Sequence, residues 1–371
     1  MSPPEPPGRL PGAVESAWLA RAEAVTGLAG EAALERLRPS VARLSDLFTL
    51  ERPASGFPDY LADGSLLAAY GLFFFPQSWA RAGWALAHAR WRGWAPGSSR
   101  PRVLDLGSGP GSCGLSLARG LGGAGELRLL DRSPAALAAA ESLAGAAAPG
   151  WEVVGTVGDA REPRSWPEGP FDVVVAGFVL NELGLDEPGR DAWFEAAAAR
   201  LAPGGLLILI EPALRATAEP LRRLADRRAA LSPRRIGPEV DAAPCPMLGG
   251  EHWDHEVRAW TAPDTAAYLN RKLHRDLGSV RFSLALFSDA DLPPVPAGAA
   301  RVVAEPQLLK GLLRLVVSAG GRLRTVEVAT RGLGKREAKD LAAGFARGDL
   351  VRVPPGDARR VEAADLARLG P

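Results

Sequence analysis

The residues best suited to binding a ligand lie in the segment Val103–Gly111, which reads VLDLGSGPG. An apolar run ends at Asp105, and three glycines at alternate positions follow before a helix predicted to begin near Ser112. Glycines adopt backbone angles that other residues resist, and they let the backbone approach a bound molecule closely. The N-terminus of the helix offers N–H donors to that molecule. The predicted binding residues of this loop are Asp105, Gly107, Ser108, Gly109 and Gly111.

Acidic residues at three successive strand ends indicate which ligand the loop takes. Asp105 precedes the glycines, Asp131 ends the second predicted strand, and Asp159 follows the third. These carboxylates suit, in turn, an ammonium group, two ribose hydroxyls and the exocyclic amine of adenine. The set favours S-adenosylmethionine (SAM) over a dinucleotide, although the glycines also satisfy the weak pattern G-x-G-x-x-G. In a simpler interpretation, Asp105 and Asp131 only cap helices. The predicted cofactor site also includes Arg132 and Ala160.

Short apolar runs alternate with helical segments between residues 102 and 210, and this alternation predicts a parallel sheet covered by helices. The candidate strands are Val103–Leu106, Leu127–Leu130, Val153–Val157, Phe171–Gly177 and Leu206–Ile210, and the candidate helices are Ala135–Leu143 and Asp191–Leu201. The carboxyl ends of such strands meet in one crevice, which is where the three acidic residues fall. The loop, Asp131 and Asp159 together resemble the class I SAM-dependent methyltransferases. We therefore predict an α/β, Rossmann-like fold with a doubly wound, mostly parallel sheet.

The rest of the chain divides by composition. We predict a disordered Pro-rich segment (1–12), a helical N-terminal region (13–97), the SAM-binding domain (98–292), a small β-rich lobe (299–356) and a tail (357–371). The aromatic cluster of the N-terminal region, which runs from Phe73 to Trp84, is interpreted as a packing surface. In the lobe, two strands are predicted at Leu312–Ser318 and Leu323–Ala329, joined by a glycine turn.

The segment after the fourth strand borders the methyl-acceptor pocket in the class I fold. Asn181 and Glu182 lie there and are the candidate catalytic residues. They are predicted to line the acceptor side or to contact the methionine of SAM, with capping of the next helix as the alternative. The Asn/Asp-Pro-Pro-Tyr motif of amino-group methyltransferases is absent. A catalytic thiolate is disfavoured, because Cys245 follows the fifth strand and Cys113 lies in the glycine-loop helix.

Charge and cysteine content restrict the possible partners. The 44 Lys and Arg residues nearly balance the 43 Asp and Glu residues, so global charge predicts neither nucleic-acid nor membrane binding. Three local basic clusters nevertheless suit phosphate contacts with RNA rather than DNA, although a solvated helix face is equally expected. The predicted RNA-binding residues are Arg222, Arg223, Arg227, Arg228, Arg271, Lys272, Lys335 and Arg336.

Two cysteines cannot form a disulfide scaffold, and no signal peptide or membrane-spanning run is seen, so we expect a soluble, cytoplasmic protein. Cys245, His252 and His255 are spaced as possible metal ligands, but a structural zinc normally takes four ligands. The simpler interpretation is a lid whose aromatic and histidine side chains pack over the acceptor site. We predict no metal site.

The chain as a whole resembles a family, the methyltransferase-like small-ribosomal-subunit assembly proteins of mitochondria and their bacterial relatives. The similarity extends over about residues 35–353 and rests on Tyr60–Leu61, Ala68–Tyr70, Val179–Leu183, Ile210–Pro212, Cys245–Pro246, His252–His255, Arg281–Ser283 and Lys310–Gly311. It implies association with small-subunit ribosomal RNA or the small ribosomal subunit during assembly. Some members bind an iron–sulfur cluster through four cysteines. This chain has only two, so no cluster is predicted.

Three functions follow from these observations. The first is a SAM-dependent methyltransferase that acts on small-subunit ribosomal RNA, with a role in translation. The second is a non-catalytic assembly factor that binds SAM and RNA with the same fold. The third is a small-molecule methyltransferase with the N-terminal helices as a lid.

Overall fold

The computed structural model describes residues 7–51, 57–275, 277–354, 356 and 358–370. Residues 1–6 of the segment predicted to be disordered lie outside this part of the chain. The chain divides into two compact units. The first comprises Met1–Leu86, Pro96–Ile210 and Ala259–Val280, and the second comprises Ala87–Ala95, Glu211–Arg258 and Arg281–Pro371. Within the described ranges, every helix is too short or too polar to cross a bilayer.

Four helices begin the first unit: α1 (Gly12–Thr26), α2 (Gly30–Asp46), α3 (Gly64–Phe73) and α4 (Phe75–Trp91), with a short 3₁₀ turn at Tyr60–Ala62. In α2 the apolar residues recur at helical spacing and are buried. Helix α3 starts where Asp63 accepts a hydrogen bond from the Leu66 N–H at 2.9 Å. Gly71 in α3 lies against the Trp18 ring, since a Cβ there would come within 2.0 Å of that ring. The absence of a side chain therefore lets α1 and α3 pack closely.

The core of the first unit is a parallel sheet with the strand order β3-β2-β1-β4-β5. Its elements are β1 (Arg102–Leu106), α5 (Ser112–Leu121), β2 (Gly125–Asp131), α6 (Pro134–Ala147), β3 (Trp151–Val157), β4 (Phe171–Gly177), α7 (Glu187–Ala198) and β5 (Leu201–Glu211). Strands buried on both faces need apolar runs rather than alternation, and Val173, Val174 and Val175 are fully buried. The predicted α/β fold with a mostly parallel sheet is confirmed. The strand order reverses between β1 and β4, where open sheets of this type bind ligands.

The chain continues with α8 (Arg215–Arg227), β6 (Arg234–Gly237), β7 (Glu256–Ala259), α9 (Asp264–Lys272) and β8 (Ser279–Ser288). Helix α9 belongs to the first unit. Within the second unit, β6 pairs antiparallel with β8.

A second sheet occupies the C-terminal part of the second unit. Its elements are β9 (Ala299–Val302), β10 (Gln307–Leu309), β11 (Leu312–Ala319), β12 (Arg322–Ala329), α10 (Lys335–Ala343), β13 (Leu350–Arg352), β14 (Arg360–Val361) and β15 (Ala367–Gly370). The strand order is β14-β12-β11-β9-β13-β15, with β10 paired to β11. The predicted hairpin is confirmed, because β11 and β12 pair antiparallel through to Ala319 opposite Arg322. Two strands, β14 and β15, come from the segment expected to be a tail.

The interior of the second unit also holds a row of alternating charges. Arg222 contacts Glu239 and Asp254, both at 2.6 Å. Arg301 contacts Asp254 at 2.7 Å and Glu256 at 2.5 Å. All five side chains are at least nine-tenths buried. Burial penalises each charge, and the opposite charges at hydrogen-bonding distance offset that penalty.

Candidate functional site

The glycine loop joins β1 to α5 in the conformation that its sequence predicts. Gly107, Gly109 and Gly111 have φ angles of +66°, +52° and +80°, in the region that side chains disfavour. At Gly107 the neighbours exclude a side chain as well, since a Cβ would lie 2.5 Å from Cγ2 of Val179. The loop can therefore be built only with glycine at this position.

Asp105 lies at the end of β1 and is buried, with 1% of its surface exposed. Its Oδ2 accepts a hydrogen bond from the Gly114 N–H at 2.7 Å, which ties β1 to the first turn of α5. Burial and, to a lesser extent, the nearby charge of Asp131 raise the pKa of the Asp105 carboxyl to about 7. A cation placed beside Asp105 would favour its ionised form.

Asp131 ends β2 and supports the loop from the other side. Its Oδ2 accepts from the Gly109 N–H at 2.7 Å and its Oδ1 accepts from the Ser133 N–H at 2.9 Å. Burial raises the pKa of this carboxyl, and the two N–H donors oppose the rise. Each carboxylate oxygen can accept a second hydrogen bond, so both retain capacity for a ligand hydroxyl.

Asp159 follows β3 and is paired with Arg161. The guanidinium Nη2 contacts Oδ2 at 2.6 Å, and Nε lies 3.0 and 3.1 Å from the two oxygens. This pairing lowers the pKa of the Asp159 carboxyl. The next residue, Ala160, is held in place because its carbonyl oxygen accepts a hydrogen bond from the Trp193 indole at 2.8 Å.

These residues surround one open crevice in the first unit. Of the predicted cofactor residues, those that line it are Asp105, Gly107, Ser108, Gly109, Asp131, Arg132, Asp159 and Ala160. Gly111 is not among the lining residues; its positive φ angle allows the loop to turn into α5.

The N-terminal region supplies part of the crevice wall through residues that were not among the predicted site residues. Phe57, Tyr60, Leu61 and Tyr70 all line it. Arg132 holds this segment, since its guanidinium donates to the carbonyl oxygens of Phe57 and Pro58. The sequence gives no local signal for this contact, because the partners are about 75 residues apart.

The segment after β4 contributes a strained residue. Phe178 lines the crevice with a φ of +67°, a conformation rarely adopted by bulky residues and often found at functional sites. Asn181 does not line the crevice; its Nδ2 donates to the Phe178 carbonyl oxygen at 2.8 Å and so closes this turn. Glu182 does line the crevice. Asn181 is therefore placed as a positioning residue, and Glu182 faces the ligand space.

The two cysteines lie in different units. Cys113 lines the crevice, but burial raises the pKa of its thiol. Cys245 lies within 4.8 Å of ligand atoms of Glu239 and Asp254 in the second unit, and burial raises its pKa to about 11. Both carboxylates are already paired with arginines. A protonated thiol beside such a pairing is a poor metal site.

The predicted RNA-binding residues differ in their surroundings. Arg222 has only 3% of its surface exposed and is ion-paired in the interior, so we remove it from the predicted RNA surface. Lys272 contacts Glu35 at 2.8 Å, and Arg223 lies 3.7 Å from Glu219. The side chains of Arg227, Arg271, Lys335 and Arg336 are exposed, and that of Arg228 is half-buried.

Comparison with known proteins agrees with this geometry. Residues 103–205 match the family described as "Methyltransferase domain". This segment is a SAM-dependent methyltransferase domain. The match begins at β1 and extends to β5, so the methyltransferase domain contains the glycine loop, Asp131, Asp159 and Glu182. SAM is its cofactor.

Solved structures similar to this chain include several methyltransferases. TrmN from Thermus thermophilus is 21% identical, with 67% of this chain and 49% of that chain covered and a TM-score of 0.30. Precorrin-6y C5,15-methyltransferase from Geobacter metallireducens is 14% identical over 54% of this chain and 88% of that chain, with a TM-score of 0.35. A putative rRNA-methylase from Clostridium thermocellum is 10% identical, with 55% of this chain and 94% of that chain covered and a TM-score of 0.32. The aligned part of TrmN is about half of its length. No curated protein sequence matches the chain.

Proposed function

We propose that this protein uses its methyltransferase domain to act on, or bind, small-subunit ribosomal RNA during ribosome assembly. The observation that supports a transfer reaction is the crevice itself. Its lining combines three carboxylates at or after strand ends and a glycine loop with Phe178 and Glu182, which follow β4. A methyl donor and an acceptor group can therefore lie against the same space.

Each side chain has a role in this proposal. The glycine loop and Asp105 hold the methionine end of SAM, Asp131 its ribose, and Asp159 its adenine. SAM carries an already activated methyl group, so the chain needs mainly to orient the acceptor and exclude water. Glu182 would accept a hydrogen bond from the acceptor.

Exposed cationic side chains support the RNA part of the proposal. Arg223 and Arg227 are four residues apart on α8 and both are exposed, so they share one helix face. Lys335 and Arg336 are exposed at the start of α10, and 95% of the Arg336 side chain is accessible. Guanidinium groups suit phosphate oxygens. The resemblance to small-subunit assembly proteins favours small-subunit ribosomal RNA as the RNA that is bound.

Transfer of tritium from methyl-labelled SAM to immature small ribosomal subunits tests the proposal. We expect label in the RNA with the wild-type protein and none with Asp131→Ala, which removes the predicted ribose ligand. If the RNA stays unlabelled while both SAM and RNA bind, the non-catalytic assembly function holds instead. If SAM binds and RNA does not, the RNA proposal is wrong.

A small-molecule acceptor is the second candidate, and one observation favours it. The segment from Phe57 to Leu61, which belongs to the N-terminal region, lines the crevice. Salt dependence separates the two functions, because affinity for RNA falls steeply with salt and affinity for a neutral small acceptor does not.

A further inference from the structure

Arg81, on α4, lies directly behind the crevice lining without being part of it, and it plays no part in the site described above. Its guanidinium carbon is 5.2 Å from the ring centroid of Phe178, the strained residue that follows β4. The groups that act electrostatically on Arg81 are Tyr70 and Cys113, and both of these line the crevice. Phe178 therefore contacts this cation, and Tyr70 and Cys113 lie within electrostatic range of it.

Within the described part of the chain, no carboxylate is placed to balance the charge of Arg81. Its Nη2 donates a hydrogen bond to Oε1 of Gln77 across a long 3.4 Å. Its Nε is buried without a hydrogen-bond partner. Burial lowers the pKa of Arg81 to about 10, while burial raises the pKa values of Tyr70 and Cys113, so both neighbours are neutral at pH 7.

Arg81 is half-buried as a whole, and a cation that is partly withdrawn from water in this way is costly unless an anion pairs with it. The arginines of the second unit show the contrast, since Arg222 and Arg301 each contact two carboxylates at hydrogen-bonding distance. Arg81 therefore has the features of a ligand-binding group whose anion comes from outside the chain.

The position of Arg81 indicates which anion this is. Its neighbours Cys113 and Phe178 follow the ends of β1 and β4, at the end of the crevice assigned to the methionine moiety, whereas Asp131 and Asp159 follow β2 and β3. We infer that Arg81 binds the α-carboxylate of the methionine moiety of SAM, opposite an ammonium held on the Asp105 side. A guanidinium fork matches a carboxylate with two parallel hydrogen bonds. This inference rests on the proposed cofactor site.

Titration calorimetry with the full-length chain tests it with two ligands. SAM carries the carboxylate, and 5′-methylthioadenosine has the same adenosine and thioether without the amino acid. Arg81→Met should weaken SAM binding by about 10- to 100-fold and change methylthioadenosine binding less than twofold. Arg81→Lys keeps the charge but loses the two parallel hydrogen bonds of the guanidinium, so its SAM affinity should lie between those of the wild type and Arg81→Met. Arg21→Met is the matched control, because Arg21 also stacks on a ring, Trp18, in the first unit.

An equal loss of affinity for both ligands in Arg81→Met would mean that Arg81 has only a structural role, and would overturn the inference. A variant that keeps full SAM affinity but binds RNA less tightly would also overturn it, in favour of an RNA phosphate. A second measurement needs no mutation: the wild-type chain should bind decarboxylated SAM at least tenfold more weakly than SAM, and equal affinities would contradict the inference. If the wild-type chain binds neither SAM nor methylthioadenosine, the proposed cofactor site itself is wrong.

Discussion

The Oδ2 atom of Asp131 accepts a hydrogen bond from the backbone N–H of Gly109 across 2.7 Å. A side chain at the end of β2 thus fixes the shape of the loop that follows β1. The same carboxylate is the predicted ligand of the ribose. Loop conformation and cofactor affinity therefore depend on one residue.

Replacing Asp131 with alanine removes both functions. We expect SAM affinity to fall at least tenfold, and the free energy of unfolding to fall by about 1–3 kcal/mol because two backbone N–H groups lose their acceptor. Calorimetry and urea denaturation measure these effects. Asp186→Ala is the control, since Asp186 caps α7 by accepting from the Gly189 N–H at 2.8 Å outside the crevice. That variant should lose about 1 kcal/mol and bind SAM normally. Unchanged SAM affinity in Asp131→Ala would refute the assigned role.

Asp105 should make stability depend on pH. Its pKa is raised from 3.8 to about 7 in the folded chain, so the folded state holds the proton more tightly than the unfolded state. This tighter proton binding stabilises the folded state fully below about pH 4, and the stabilisation is lost as the pH rises towards 7. Asp105→Asn cannot ionise and can still accept the Gly114 N–H. The unfolding free energy of the variant, relative to the wild type, should therefore increase between pH 4 and pH 7. Parallel pH profiles for the two proteins would contradict this.

Gly107→Ala tests how closely Val179 approaches the loop. Both Gly107 and the control Gly27 have positive φ angles, +66° and +69°, so alanine strains the backbone by about 1–2 kcal/mol at either position. At Gly27 a Cβ meets nothing within 4 Å, whereas at Gly107 it would clash with Val179. We expect Gly107→Ala alone to abolish SAM binding and to lower the melting temperature more. Equal behaviour of the two variants would show that the steric argument fails.

Arg301 should be indispensable to the second unit. Arg301→Met leaves Asp254 and Glu256 buried with fewer counter-charges, which should cost about 3–5 kcal/mol. The exposed Arg336, whose contact with Asp340 is 3.9 Å, provides the control. Arg336→Met should change stability by less than about 0.5 kcal/mol. Guanidinium denaturation followed by tryptophan fluorescence measures both. A loss below about 1 kcal/mol in Arg301→Met would show that the carboxylates are solvated or protonated instead.

RNA binding should depend on the exposed face of α8. The double variant Arg223→Ala/Arg227→Ala should weaken binding to small-subunit RNA and reduce the slope of log affinity against log salt by about 1.4–1.8, for two lost phosphate contacts. Filter binding at several salt concentrations measures the slope. Arg164→Ala, an exposed arginine outside the predicted clusters, should leave the slope unchanged. If both variants lower the slope equally, RNA binding is spread over the cationic surface and does not depend specifically on α8.

The parallel sheet could be predicted because each of its strands is an apolar run ended by a residue with a distinct chemical role. Asp105 and Asp131 lie at the ends of β1 and β2, and Asp159 follows β3, so the topology of the sheet brings all three to one crevice. Short strands such as β6 and β10 were missed. They have three or four residues, too few for a periodic pattern to be recognised.

Other parts of the site depend on contacts between distant residues. Tyr60 and Tyr70 reach the crevice from the N-terminal region, and nothing in their local sequence indicates it. The positive φ of Phe178 likewise has no signal, because bulky residues rarely adopt it. Arg222 is an intermediate case. It follows Ala218 by four residues and precedes Ala225 by three, both buried, so helical spacing placed it on the inner face. Its partners Glu239 and Asp254 could not be foreseen.

The row of buried charges from Glu239 to Glu256 limits which amino-acid substitutions the second unit can accept. Loss of Arg222 or Arg301 leaves two buried carboxylates with fewer counter-charges, and loss of a carboxylate leaves at least one buried arginine with fewer anionic partners. Substitutions that survive here should therefore arise in compensating sets of two or more, and related chains should differ at these positions jointly or not at all.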